Sequence, residues 1–300
     1  MRIGVCLTLV LLSTVAGAAE EPTTRTIEAE GASVSVEFQS TDFKYGTTPV
    51  VTWIERSMAI VAHYYGQFPA KQLRMRVTLG DGSRVRHGTT YGMPVPFIRL
   101  QLGRDVTADE LHEDWVLVHE MVHLALPEVG DDHLWLTEGL STYVEGIARV
   151  HAGELRAERV WAELMRSMPN GLPAAGDKGL DHTHTWGRTY WGGALFCLLA
   201  DVEIRKKTAN RFGLRDALRA VLRSSGGVSY DVPIDRVLKA GDEATGTTVL
   251  RDLYAQMKDK PMSPNLGELW KQLGIRQSGD SVVLEEDAPL AVTRKAIMAP

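Results

Sequence analysis

Apolar positions along the chain recur with two different periods. Residues 27–38 alternate, with Val34, Val36 and Phe38 on one side, which predicts a strand. Over residues 49–65 the period lengthens: Trp53, Ile54, Met58, Val61 and Tyr65 form one apolar stripe at helical spacing. Residues 72–79 read as a second strand. The turn Gly80-Asp81-Gly82 follows, then a glycine-bearing stretch over 87–92. In residues 97–102, Ile98, Leu100 and Leu102 face one way and Arg99 and Gln101 the other, which suits a half-buried or edge strand.

Beyond Leu102 the pattern turns helical. Thr107-Ala108-Asp109-Glu110 has the form of a capping box, and Leu111, Trp115, Val118, Val122 and Ala125 continue at steps of four and three. This predicts one buried helix, ended by Pro127. Further helices are predicted over 134–150, 153–168, 190–208, 215–224 and 266–273, with a Pro/Gly-rich loop over 170–179. The expected class is α+β: a mixed β/α lobe over 19–126 and a mainly helical lobe over 127–300.

The first residues read differently. Arg2, an apolar run over 3–15 and the small residues of Val15-Ala16-Gly17-Ala18 predict a secretory signal peptide over 1–18, and hence a secreted or periplasmic protein. The run is too short for a membrane span. Cys6 leaves with it, so Cys197 stands alone in the mature chain; no internal disulfide is expected, and Cys197 reads as a buried small hydrophobe. The formal charge of -5 becomes -6 once Arg2 is removed, and no basic stripe suggests a nucleic-acid partner.

Candidate chemistry centres on His119-Glu120-Met121-Val122-His123. Residues four apart share a helix face, so both imidazoles can reach one zinc ion, with Glu120 placed as general base toward water. A third ligand is needed. His133 is one candidate, although Asp131 and Asp132 beside it favour a surface turn.

Two segments carry a family resemblance. Trp135-Leu136-Thr137-Glu138-Gly139, continuing to Tyr143 and Glu145, resembles the W-L-x-E-G-x-x-x-Y-x-E segment of the gluzincin zinc metallopeptidases of the aminopeptidase type. Tyr190-Trp191-Gly192-Gly193-Ala194-Leu195, with Asp201, Ile204 and Arg205 beyond it, is similar to the Y-x-K-G-A-L helix start of the same enzymes, most like the glycyl aminopeptidase group. The tail around Asp287-Ala288-Pro289-Leu290 also looks like that group. The resemblance implies a thermolysin-like fold with the zinc site between the lobes. It also implies one Zn2+ per chain on His119, His123 and Glu138, and Tyr190 as hydrogen-bond donor to an oxyanion. A peptide or protein substrate follows; the alternation of residues 97–102 and their place in the chain suit its lying along them as an added strand.

The chain departs from the family at several points. The gap from His123 to Glu138 is four residues shorter than in the alanyl-type enzymes, and Gly192 stands where a Lys is usual. No glutamate-bearing glycine motif precedes the zinc helix, so aminopeptidase specificity is not implied, and the start is too short for the large N-terminal β-domain. Two other readings stay open: a non-catalytic zinc-stabilised binding protein, and a metallohydrolase acting on a cell-wall amide. Among lesser candidates, His182 and His184 suit an exposed loop better than a second metal. Glu145 shares the face of Glu138, Arg188 is expected to pair with Glu145 or with substrate, and Arg205 to Lys207 reads as a solvated helix end.

Overall fold

The computed structural model describes residues 22–300; the signal peptide expected over 1–18, Cys6 included, lies outside the described residues. The chain begins as a hairpin, β1 (Thr23–Ala29) and β2 (Ala32–Phe38), rather than the single strand expected over 27–38. Its two-residue turn, Glu30 and Gly31, has positive φ at both positions, the backbone that matches the twist of paired strands. Helix α1 (Thr48–Tyr65) and β3 (Gln72–Gly80) fall where the periodicity placed them. The glycine-bearing stretch forms a strand of its own, β4 (Val85–Tyr91), followed by β5 (Phe97–Gly103).

These strands form one mixed sheet in the order β1-β2-β3-β5-β4, parallel at β2–β3 and β3–β5 and antiparallel at both ends. β5 therefore has both edges paired. Its alternation reflects one face on the core and one in solvent, and the edge on this side of the sheet belongs to β4. The inner face, including Val34, Val36, Met75, Val77, Ile98 and Leu100, is buried in the same core as the α1 stripe. Burying side chains of this size contributes about 1.5–3 kcal/mol each.

The helix expected from Thr107 to Ala125 is two helices. α2 (Ala108–Glu113) has the full capping box, with Thr107 and Glu110 each satisfying the other's backbone. Asp114 then turns extended (φ -67°, ψ 142°) and its side chain accepts from the Val116 N–H at 2.9 Å, starting α3 (Val116–His123) in a new direction. Trp115, expected on the buried stripe, is thrown outward and is 52% exposed.

The rest is mainly helical: α4 (Leu134–His151), α5 (Ala157–Ser167), α6 (Gly193–Thr208), α7 (Leu214–Ser225), α8 (Ile234–Thr245), α9 (Val249–Met257), α10 (Leu266–Leu273) and α11 (Ala291–Met298). A small hairpin, β6 (Ile275–Ser278) with β7 (Ser281–Leu284), lies between the last two. A π-helical turn over Gly187–Gly192 leads into α6. Where α4 crosses α6 the backbones touch: a Cβ on Gly139 would sit 2.2 Å from Gly193 Cα, and one on Gly193 would sit 1.9 Å from the Trp135 carbonyl oxygen. The glycine after Glu138 and the second of the Gly192-Gly193 pair are thus required by close approach. Among the described residues, no helix is long and apolar enough to cross a membrane.

Candidate metal centre

Two helices converge beside β4. α3 presents His119 and His123 one turn apart, and the second turn of α4 presents Glu138. One nitrogen from each imidazole and a carboxylate oxygen all lie within 4.8 Å of one another. The His119 Nε2 to Glu138 Oε2 distance is 3.3 Å, and His123 Nε2 lies 3.5 Å from the same oxygen. Tetrahedral ligands bonded to zinc at about 2.0–2.1 Å stand roughly 3.3 Å apart, so the spacing and the N,N,O donor set both fit that ion. Burial works against the Glu138 carboxylate, yet the hydrogen bonds from His119 and His123 outweigh it and lower its pKa to about 2. His119 Nδ1 is buried without a hydrogen-bond partner, while the Glu145 carboxylate interacts electrostatically with the same ring.

Glu120 is buried between α3 and β4. Thr90 Oγ1 stands 2.7 Å from its Oε2 and 2.8 Å from its carbonyl oxygen, so one hydroxyl anchors both side chain and backbone. The strand can come this close because Gly88 has no side chain: a Cβ there would meet Glu120 Cγ at 2.6 Å. Nothing in the sequence marked Gly88 or Thr90 as part of the site. Their role depends on which strand holds that edge of the sheet, and periodicity does not record it.

Tyr190 approaches from the opposite side, on the π-helical turn. Its ring stacks on His119 at 6.4 Å, and Trp186 stacks on Tyr190 at 6.2 Å. Burial, then the charges of Glu138 and Glu120, raise the phenol to about 12, leaving it a hydrogen-bond donor at neutral pH. Single π-helical turns are frequent at functional sites.

Other expected residues go elsewhere. His133 binds the buried Asp181 at 3.1 Å, where Trp135 and Tyr254 also donate, and is not part of the cluster. His182 pairs with Asp259 at an exposed position, His184 is exposed, and neither joins a metal-ligand group among the described residues. Arg188 is buried against Asp177 at 2.8 Å and pairs with neither Glu145 nor the cleft; Glu145 is instead held by Arg149 at 2.9 Å. Arg205 is not a solvated helix end: it is buried and donates to Asp201 at 2.8 Å. Cys197 is buried, and burial raises its thiol pKa far above the ordinary range.

No protein-family model and no curated protein matches the chain. Solved structures do. An aminopeptidase N family protein from Idiomarina loihiensis aligns with a TM-score of 0.65 at 16% identity, over 85% of this chain and 49% of that one. An M1 zinc metallopeptidase from Deinococcus radiodurans aligns at 0.53 with 14% identity, over 81% and 53%. A variant of it bound to a Tyr-Ser-Ala substrate gives 0.53 and 13% over the same shares. This chain thus spans about half the length of these structures. Over that half, it has the α+β fold of the aminopeptidase-like gluzincins, the M1 zinc metallopeptidases.

Proposed function

We propose that the protein is a secreted or periplasmic zinc peptidase of thermolysin-like architecture, its site lying between a β/α lobe over 19–126 and a helical lobe over 127–300. The convergence of His119, His123 and Glu138, with Glu120 held by Thr90 beside them, carries the reading. A structural zinc site fills all four positions from the protein and has no use for a carboxylate fixed at its edge; a catalytic one keeps a place open.

When bound, one zinc ion on His119, His123 and Glu138 would supply Lewis acidity toward a carbonyl and toward water. Glu120 takes the proton of the attacking water and returns it to the leaving nitrogen. Thr90 holds that carboxylate in one rotamer. Tyr190 donates to the oxygen on which negative charge develops. The Deinococcus variant bound to a Tyr-Ser-Ala substrate supports a peptide as the substrate class.

The test is elemental analysis with calorimetry. The chain is expected to hold one zinc, to lose thermal stability on chelation because its ligands come from two helices, and to lose tight binding in Glu138→Ala. Zinc binding unchanged in Glu138→Ala would remove Glu138 from the ligand set.

A further inference from the structure

Two clefts meet at the triad. The smaller, about 420 Å3, runs between the edge strand β4 and residues 126–128. The larger, about 1000 Å3, runs from α3 past α4 and α5 to the β6–β7 hairpin at Asp280 and Ser281. His119, Tyr190 and Trp115 line both, so the reacting centre lies between the clefts rather than at a blind end.

Enzymes that trim chain ends hold the terminal amine or carboxylate with a fixed opposite charge, because a charge-assisted hydrogen bond gives both energy and registration. Among the described residues, and apart from the triad and Glu120, neither cleft offers a charge that is both buried and without a counter-charge. In the smaller, apart from the triad, Glu120 and His87, the ionisable side chains are Arg86 and Glu128, both exposed, and Arg86 donates to the Asp81 carbonyl at 2.8 Å. In the larger, Arg149, Arg159 and Arg166 are each paired, with Glu145, Glu113 and Glu163. Of the remaining ionisable residues there, Arg156 and Glu158 are of opposite sign, and Asp280 lies at the far end. What the larger cleft does offer is aromatic surface. Trp115 and Trp186 are 52% and 64% exposed, and they flank His119 and Tyr190. Large rings left in water beside a reactive centre are the kind of group that anchors a partner's side chain.

We infer that a polypeptide passes through both clefts and is cut at an internal bond, with a bulky apolar side chain gripped by Trp186 and Trp115 in the larger cleft. The inference rests on the peptidase reading above and adds the mode of attack. The experiment uses the zinc-loaded chain and internally quenched peptides, acetylated and amidated at their ends and lengthened one residue at a time. A matched set carries free N-termini. Blocked peptides are expected to be cut internally, with kcat/KM rising as the peptide lengthens, and cut sites read by mass spectrometry should neighbour bulky apolar residues. In the Glu120→Gln background, which binds without turnover, Trp186→Ala is expected to weaken the Kd of a blocked peptide about tenfold.

Stepwise trimming of free N-termini alone, abolished by Glu128→Gln, would overturn the inference and leave the peptidase reading standing. An unchanged Kd in Trp186→Ala would overturn the aromatic grip. Failure to cut any peptide, blocked or free, would remove the peptidase reading and this inference with it.

Discussion

Glu138 and Tyr143 stand five residues apart on α4, and the polar groups around them are satisfied to different degrees. Tyr143 points into the core, where its hydroxyl donates to Asp201 at 3.1 Å; Arg205 at 2.8 Å and the Leu214 N–H at 3.0 Å use the other oxygen of the same carboxylate. That network is closed. Around Glu138, two imidazoles and a carboxylate crowd together, His119 Nδ1 has no hydrogen-bond partner, and the group opens on a cleft. Buried polar groups are normally paired, because an unpaired one costs about 1–3 kcal/mol. The closed network is what a fold needs to bury an aspartate. The open cluster costs stability, and a zinc ion of the kind proposed above would account for two Nε2 atoms and a carboxylate oxygen meeting at one point.

If this contrast is right, substitutions in the open cluster remove activity and those in the closed network remove stability. The largest effect is expected for Glu120→Gln, where turnover falls by about a thousandfold while zinc content stays that of the parent. Near-normal turnover in this variant, measured beside elemental zinc, would end the assignment of Glu120 as base. Tyr190→Phe is expected to lower kcat by about a hundredfold, with KM and thermal stability little changed. A stability loss with normal kcat would instead move Tyr190 to the closed class.

On the other side, Asp201→Asn is expected to cost about 3 kcal/mol in denaturant unfolding, since it leaves Arg205 buried without its counter-charge. The kcat of the folded fraction should be unaffected. A variant that is stable but inactive would collapse the distinction between the two faces.

The smallest effect sharpens the contrast through pH. At the end of α4, His151 donates from Nε2 to the Ile297 carbonyl at 2.9 Å, and its Nδ1 faces Arg215 at 3.0 Å. Burial, partly offset by that carbonyl and reinforced by Arg215, lowers its pKa from 6.5 to about 4. On acidification the unfolded chain takes up this proton first. Stability therefore falls as pH drops below about 6.5, and the loss levels off below about 4, amounting to roughly 2–3 kcal/mol. Denaturant titrations of His151→Gln across that window should show a shallower acid-side decline; an unchanged slope would mean that the ring does not carry this linkage.

Legibility from sequence followed burial. α1, β3, α4 and α10 were legible because each has one apolar and one polar side, and the two cluster histidines were legible because helical spacing fixes their common face. β4 was not: Arg86, His87, Gly88, Thr89 and Thr90 show no apolar alternation, since the strand lies at a sheet edge against a carboxylate. The first hairpin was missed because β1 buries only Ile27 and shows no alternation of its own, and because Glu30-Gly31 is not a usual turn pair. The α2–α3 break escaped because Trp115 fits the apolar stripe by type while Asp114 sets the backbone that turns it outward. α8, α9 and α11 were also not read from the chain, although each has an apolar side in the core.

The contact between α4 and α6 bears on how the cleft can move. Backbones meshed at Gly139 and Gly193 cannot slide along each other without collision. Glu138, one residue before the first glycine, and Tyr190, three before the second, therefore ride on a single locked joint. β4 is different: it is held by one neighbouring strand, and it touches the helices through the Thr90 hydroxyl and the bare backbone at Gly88. The cleft therefore has one wall whose backbones interlock, α4 and the turn before α6, and one, β4, joined to the helices by a single hydroxyl and a bare stretch of backbone.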